Sequence, residues 1–185
     1  LGGYAATAIT ALTAQNTRGV FGIVGVEPAF IARQMELVLE DIGADCIKTG
    51  MLHNAAVIET VVEVLDRAGT GIPVVADPVM FAKGGDCLLD PAARDTLIQR
   101  LLPRAAVITP NVREAQALSG LPIRSADDLA AAARQLLELG PAAILVKGGH
   151  LAGETVTDWL VWRDGSRAFT APRADSRNTH GTGCT

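Results

Sequence analysis

Val74-Val75-Ala76-Asp77-Pro78-Val79-Met80 holds the reading that decides the fold. Its apolar start is too short for a helix and reads as a buried strand. Pro78 then prevents the ladder from continuing and leaves Asp77 at the strand end. Three further short apolar runs have the same form. Cys46–Thr49 is followed by Gly50, Ala106–Thr109 by Pro110-Asn111, and Ala143–Lys147 by Gly148. Longer stretches of helical character separate them: Ala5–Gln15, Pro28–Asp41, Ala55–Ala68, Pro91–Leu101, Val112–Leu118 and Ala126–Leu139. In the second of these, Phe30, Ile31, Gln34, Leu37, Val38 and Asp41 recur at helical spacing, apolar with polar breaks. Ser125 ahead of Asp127 and Asp128 supplies an N-cap and favourable charge to the sixth.

Strand and helix alternating at this spacing predict an α/β fold. Its central sheet is mostly parallel, with right-handed crossovers and helices on both faces. Two stretches depart from the rhythm. Val20–Val26 reads as a short edge strand beside a Gly-rich turn. Thr155–Trp162 and Arg167–Ala171 flank Arg163-Asp164-Gly165-Ser166 and read as a β-hairpin. No linker, repeat or low-complexity tract divides the chain, so one domain over residues 1–185 is expected.

Composition narrows the class. Hydrophobic residues make up 49% and charged residues 19% of 185, enough for a packed core and against disorder. A net charge of −4 offers no general attraction to nucleic acid or anionic lipid. No apolar run approaches the roughly 18 residues that span a bilayer. Cys46, Cys87 and Cys184 are odd in number and widely spaced, which points to a reducing cytoplasm rather than a disulfide framework. Cys46 and Cys87 read as structural or incidental. His53 and His150 read as surface or loop residues, and no zinc spacing is present. The chain opens on Leu1 and closes on Gly181-Thr182-Gly183-Cys184-Thr185, which reads as the opening of a helix. The expectation is a fragment cut at both ends.

In an open α/β sheet, ligands bind beyond the carboxyl ends of the strands. Four successive strand ends carry polar residues: Lys48-Thr49-Gly50-Met51, Asp77-Pro78-Val79-Met80, Thr109-Pro110-Asn111 with Glu114, and Lys147-Gly148-Gly149-His150. Together they suggest one ridge. Asn178-Thr179-His180-Gly181-Thr182-Gly183-Cys184 is the strongest single signal. Glycines around a threonine let backbone N–H groups converge on a phosphate or a developing anion. Cys184 would stand where a helix dipole lowers a thiol pKa, as a base for a substrate hydroxyl. A Gly-rich turn ending in a buried free cysteine is the plain alternative, and both readings stand at this point.

Asp77 and Glu114 are the carboxylates able to hold Mg²⁺ through water. The plain alternatives are a turn residue before Pro78 and a simple charge at a helix start. Lys147 can neutralise a transferring phosphate, or else is an edge lysine keeping its charge in water. Gln15 and Asn16 end an apolar stretch, where a buried amide reads a heterocycle or caps a helix. Met51 and Val79 suit an apolar pocket wall or plain core packing.

These segments occur, in the same order, in hydroxymethylpyrimidine-phosphate kinases, and the resemblance covers essentially the whole chain. Its motifs are Leu12-Thr13-Ala14-Gln15-Asn16-Thr17, Lys48-Thr49-Gly50-Met51-Leu52, Asp77-Pro78-Val79-Met80, Thr109-Pro110-Asn111 with Glu114-Ala115, Val146-Lys147-Gly148-Gly149-His150 and Asn178 to Cys184. The resemblance implies a ribokinase-like fold. It also implies ATP- and Mg²⁺-dependent phosphorylation of 4-amino-5-hydroxymethyl-2-methylpyrimidine and then of its monophosphate, in thiamine biosynthesis. It assigns the pyrimidine to Gln15, Met51 and Val79, and the metal and phosphates to Asp77 and Glu114. The nucleotide side falls to Asn111, Lys147 and Thr179. Gly181, Thr182, Gly183 and Cys184 form the catalytic anion hole. Family members are often dimers, so a homodimer is an open expectation alongside the pyrimidine and ATP. Ribokinase and many pyridoxal kinases have Asp where Cys184 stands, which favours the pyrimidine branch. Some pyridoxal kinases carry the cysteine too. Pyridoxal kinase and a non-catalytic pyrimidine- or nucleotide-binding module are the competing readings.

The family usually begins with a strand and a Gly-rich segment, and continues into a helix after the anion hole. Neither lies within these 185 residues, so the expected activity is that of the parent enzyme.

Overall fold

Short, strongly apolar strands that bury their backbone in a shared ladder need helices to carry the chain back, and this chain follows that plan. The computed structural model describes residues 2–82, 85–149, 151 and 153–174. The central sheet takes β3 (Ile47–Thr49), β4 (Val74–Ala76), β5 (Val107–Ile108), β6 (Ala143–Val146), β7 (Thr155–Trp162) and β8 (Gly165–Pro172) in sequential order. The first four run parallel, and β7 and β8 run antiparallel. All four expected strands are present, shorter by a residue or two at three of them. The expected hairpin is present as well, with its second strand extending over the whole of β8.

The helices form where caps and apolar periodicity coincide. α1 (Pro28–Asp41) begins with Pro28 in its first turn, where the missing N–H costs nothing. α2 (Ala55–Ala68) is capped by Asn54, whose Oδ1 accepts the Val57 N–H at 3.0 Å, and buries Val57, Ile58, Val61, Val62 and Leu65. The next helical stretch, α3 (residues 91–104), is continuous but irregular. It starts as a 3₁₀ turn at Pro91–Ala93, widens to a π-type turn over Leu97–Leu101 and tightens again at Leu102–Arg104. α4 (Val112–Ser119) carries a reciprocal cap between Asn111 and Glu114, and stops at Gly120, whose φ of 72° suits glycine. α5 (Ala126–Leu137) has the expected Ser125 cap, with Asp128 closing the box. Ile58, Leu65, Leu101, Ile108, Leu129, Leu136 and Ile144 are fully enclosed and form the core between helices and sheet.

The amino-terminal expectation fails. Ala5–Gln15 is not a helix. Residues 2–10 have no regular structure, and β1 (Ala11–Asn16) pairs antiparallel with β2 (Gly19–Gly25). Alanine-rich sequence favours a helix locally, but Thr10, Thr13, Val20, Ile23 and Val24 are β-branched, and pairing across the turn decides the outcome. β2 therefore belongs to a separate two-stranded sheet rather than to the edge of the central one. Its base is tied to the β3 end: Thr10 Oγ1 donates to the Met51 carbonyl at 2.6 Å, and the Val26 N–H to the Thr10 carbonyl at 3.0 Å.

Candidate functional site

Parallel pairing brings the carboxyl ends of β3 to β6 to one rim, as the four polar strand ends required. The backbone steps across that rim strand by strand. The Asp77 N–H donates to Thr49, the Thr109 N–H to Ala76 and the Lys147 N–H to Pro110, at 2.9–3.1 Å. Asn111 and Lys147 bridge as parallel neighbours.

Asp77 is the centre of the arrangement. It is only 3% exposed, and its carboxylate meets Lys147 Nζ at 3.3 and 3.4 Å and Lys48 Nζ at 3.6 Å. A carboxylate this buried needs such compensation. It is therefore more than a turn residue before Pro78. Lys147 is likewise no edge lysine, since β6 lies between β5 and β7 and the ammonium faces Asp77.

Glu114 lies beside this pair. Its Oε2 accepts the Asn111 N–H at 2.9 Å and its Oε1 the Met80 N–H at 3.4 Å. Burial pushes its carboxyl above the usual range, and the Asp77 charge adds to that push. The Asn111 N–H, Lys147 and the Met80 N–H pull it back down. The charge thus does more than face a helix dipole: it ties α4 to the loop after β4. Met51 and Val79 are both half-buried at the rim, beside the enclosed Leu52 and Met80.

Gln15 departs from expectation. It is exposed, on a strand, next to a register break between Ala14 and Gln15, so it is neither a buried amide nor a helix cap. Asn16 instead shapes the hairpin turn, accepting the Arg18 N–H at 2.8 Å. His53 does lie in a loop but is half-buried, with φ 59° and its ring against Gly25 at the end of β2. Cys46 and Cys87 are exposed free thiols. Thr179, Gly181, Thr182, Gly183 and Cys184 lie outside the described residues, as does His150.

Two further residues at this rim had no assigned role in the sequence. Lys48 shares the sheet face of Asp77 because it pairs with Val75, two residues before Asp77. A lysine inside an otherwise apolar strand was the available signal. Asp158 on β7 accepts the Gly148 N–H at 2.8 Å and so fixes the turn that follows Lys147. Its signal was a single carboxylate within the run Thr155–Trp162.

The donor set bears on a metal ion. Two buried carboxylates stand at the rim, with Asp77 shared between lysines and Glu114 accepting two N–H groups. Among the described residues no group of three or more His, Cys, Asp or Glu gathers as a closed cage. Such a set fits Mg²⁺ that keeps its waters and sits on substrate phosphates.

The family model for phosphomethylpyrimidine kinase matches residues 1–185. The chain is 48% identical, over 186 aligned residues, to the hydroxymethylpyrimidine/phosphomethylpyrimidine kinase of Escherichia coli K12, covering all of this chain and 70% of that protein. The crystal structure of phosphomethylpyrimidine kinase from Clostridium difficile 630 superposes with a TM-score of 0.81 at 40% identity, covering 91% of this chain and 72% of that one. Pyridoxal kinase from Staphylococcus aureus, in complex with AMP-PCP and pyridoxal, gives 0.84 at 31% identity, over 96% of this chain and 64% of that one.

Proposed function

The chain belongs to the phosphomethylpyrimidine kinase family, and from that premise we propose how its residues carry two successive phosphoryl transfers. It is a kinase of thiamine biosynthesis that phosphorylates hydroxymethylpyrimidine and then its monophosphate. The observation that carries the mechanism is the buried Asp77 held between Lys147 and Lys48 at the carboxyl rim of a parallel sheet.

Residues 1–185 are taken as one kinase domain. ATP is the phosphoryl donor. In the first transfer the acceptor hydroxyl oxygen forms a bond to the γ-phosphorus, the bond from that phosphorus to the β–γ bridging oxygen breaks, and ADP leaves. The hydroxyl proton must go elsewhere. Cys184 is the residue proposed to take or orient it, and Gly181, Thr182 and Gly183 are proposed to stabilise the developing charge. Lys147, Asn111 and Thr179 serve the nucleotide phosphates. Lys147 offsets their charge, and Asn111 fixes α4 and Glu114 beside them. Gln15, Met51 and Val79 serve the pyrimidine. Mg²⁺, when bound, neutralises phosphate charge, and the waters around it would meet Asp77 and Glu114.

Pyridoxal kinase is the second reading, because the pyridoxal kinase backbone fits as well as that of the pyrimidine enzyme. Sequence favours the pyrimidine, at 48% against 31% identity. The test offers equal concentrations of pyridoxal and hydroxymethylpyrimidine to the full-length protein with ATP and Mg²⁺. Preferential phosphorylation of the pyrimidine is expected, and preference for pyridoxal overturns the assignment. The cytoplasm is the proposed location. Among the described residues no helix is long and apolar enough to cross a membrane. A homodimer is also proposed. The exposed Leu12, Phe21 and Val24 of the hairpin and Phe30 and Leu37 of α1 support it, and light scattering on the full-length protein checks it.

A further inference from the structure

We propose that Lys48 receives the acceptor's own phosphate in the second transfer, so that one pocket serves both a neutral alcohol and its phosphorylated product. The proposal rests on the reading that puts nucleotide phosphates at Lys147 and the pyrimidine at Met51.

Topology divides the rim at Asp77. Lys48 reaches that carboxylate from β3, one strand away on one side. Lys147 reaches it from beyond β6, two strands away on the other. Lys48 is also three residues before Met51, whose carbonyl is held by Thr10 at the base of the hairpin. One lysine therefore stands on the pyrimidine side and the other on the nucleotide side.

The two lysines hold Asp77 unequally. Lys147, at 3.3 and 3.4 Å, makes the closer pair and also acts on the neighbouring Glu114. Lys48 is 48% exposed and meets Asp77 through one contact at 3.6 Å, the long end of an ion pair. Its three donors on a flexible stem leave it able to turn toward a ligand.

The two acceptors make different demands. An alcohol brings no charge toward the triphosphate. A phosphate monoester brings roughly −1.5 to −2 near neutral pH, and its repulsion from the donor must be offset beside the reacting oxygen. In this second step the nucleophile is a phosphate oxygen of the dianion, which has no proton to lose. It bonds to the γ-phosphorus as the bond to the β–γ bridging oxygen breaks, and ADP departs. Charge compensation, not proton removal, is what the second step adds, and Lys48 is the cation placed to provide it.

The test compares both acceptors in the full-length protein and its variants Lys48→Met and Lys48→Arg, at saturating ATP. In Lys48→Met the ratio of kcat/KM for hydroxymethylpyrimidine monophosphate to that for hydroxymethylpyrimidine should fall about ten- to a hundredfold, as for a lost charge-assisted hydrogen bond. Lys48→Arg should recover most of that ratio. Calorimetric binding of the monophosphate without nucleotide should weaken in parallel. An unchanged ratio overturns the proposal, whether both efficiencies fall together through Asp77 or neither falls. Lys147→Met, measured alongside, separates the two levels. If it leaves the KM for ATP unmoved, the underlying division of the rim is wrong. If that KM rises while the Lys48→Met ratio stays put, the Lys48 assignment alone is lost.

Discussion

Gly148→Ala tests whether the turn after β6 holds Lys147 in place. Gly148 is buried two residues beyond Val146, which pairs with Trp159, so it lies against the Thr157 part of β7. A Cβ added there would fall inside the van der Waals envelope of the Thr157 carbonyl oxygen, 3.0 Å from its carbon and 3.1 Å from Leu129 Cδ1. The obstacle is strand backbone, which cannot yield without disturbing the β6–β7 ladder. Overpacking of this kind costs about 1–3 kcal/mol. Displacing Gly148 also strains its N–H bond to the Asp158 carboxylate, and bonds to charged groups are worth about 1.5–3 kcal/mol. Together about 2.5–6 kcal/mol is at stake. For a domain of this size that lowers Tm by about 5–24 °C. Below the new Tm, Lys147 should be misplaced relative to Asp77, and a shift near 1 Å can cost on the order of a hundredfold in kcat/KM. Gly149→Ala is the control, since its added Cβ meets nothing within 4 Å. Melting curves and steady-state kinetics with varied ATP read both effects. A Gly148→Ala protein that melts within about 2 °C of the parent with unaltered kcat/KM would refute the reasoning.

Three further outcomes are expected. Cys184→Ala should lose far more kcat than ATP affinity, as read by steady-state kinetics beside nucleotide titration, and an unchanged rate removes Cys184 from the mechanism. Gln15→Ala should raise the KM for hydroxymethylpyrimidine with little change in Tm, since Gln15 is exposed on the hairpin; an unaltered KM removes that contact. The Asp128 carboxyl is held below its usual range by the Arg124 N–H and then by Ser125. A depressed carboxylate stabilises the fold above its ordinary pKa, and that contribution fades as pH falls through the lowered value. The stability advantage of the parent over Asp128→Asn should therefore be present at pH 7 and shrink under acid, in urea melts across that window. A difference that does not change with pH refutes this account of the cap.

What could be read in the sequence was what is encoded locally. α1, α2 and β4 fall on the expected residues because what delimits each is local to it in the chain: Pro28 opens α1, the Asn54 cap found in the structure opens α2, and Pro78 follows β4. Asp77, Glu114 and Lys147 could be brought to one rim in advance because parallel strands with helical returns leave all their carboxyl ends on the same side. The hairpin could not be read this way. Nothing within Ala11–Asn16 outweighs an alanine-rich helical preference until Gly19–Gly25 pairs with it, and that pairing is a tertiary event. α3 shows a milder form: a helical stretch begins at the expected Pro91, but it runs on past Leu101 to Arg104 and its turns loosen and tighten within it. Lys48 was placed on the polar rim without a role, and Asp158 was not singled out, for a related reason. Lys48 acquires meaning only when register sets it opposite Val75, and Asp158 only when β7 folds back along β6. Both partners lie a strand away, and no spacing along the chain announces them. Lys48 and Asp158 thus share one property: each bonds or pairs across strands to a residue already identified. The next place to look for function in such a sheet is therefore a lone charge inside an apolar strand, because burial tolerates it only when a neighbouring strand supplies its counterpart.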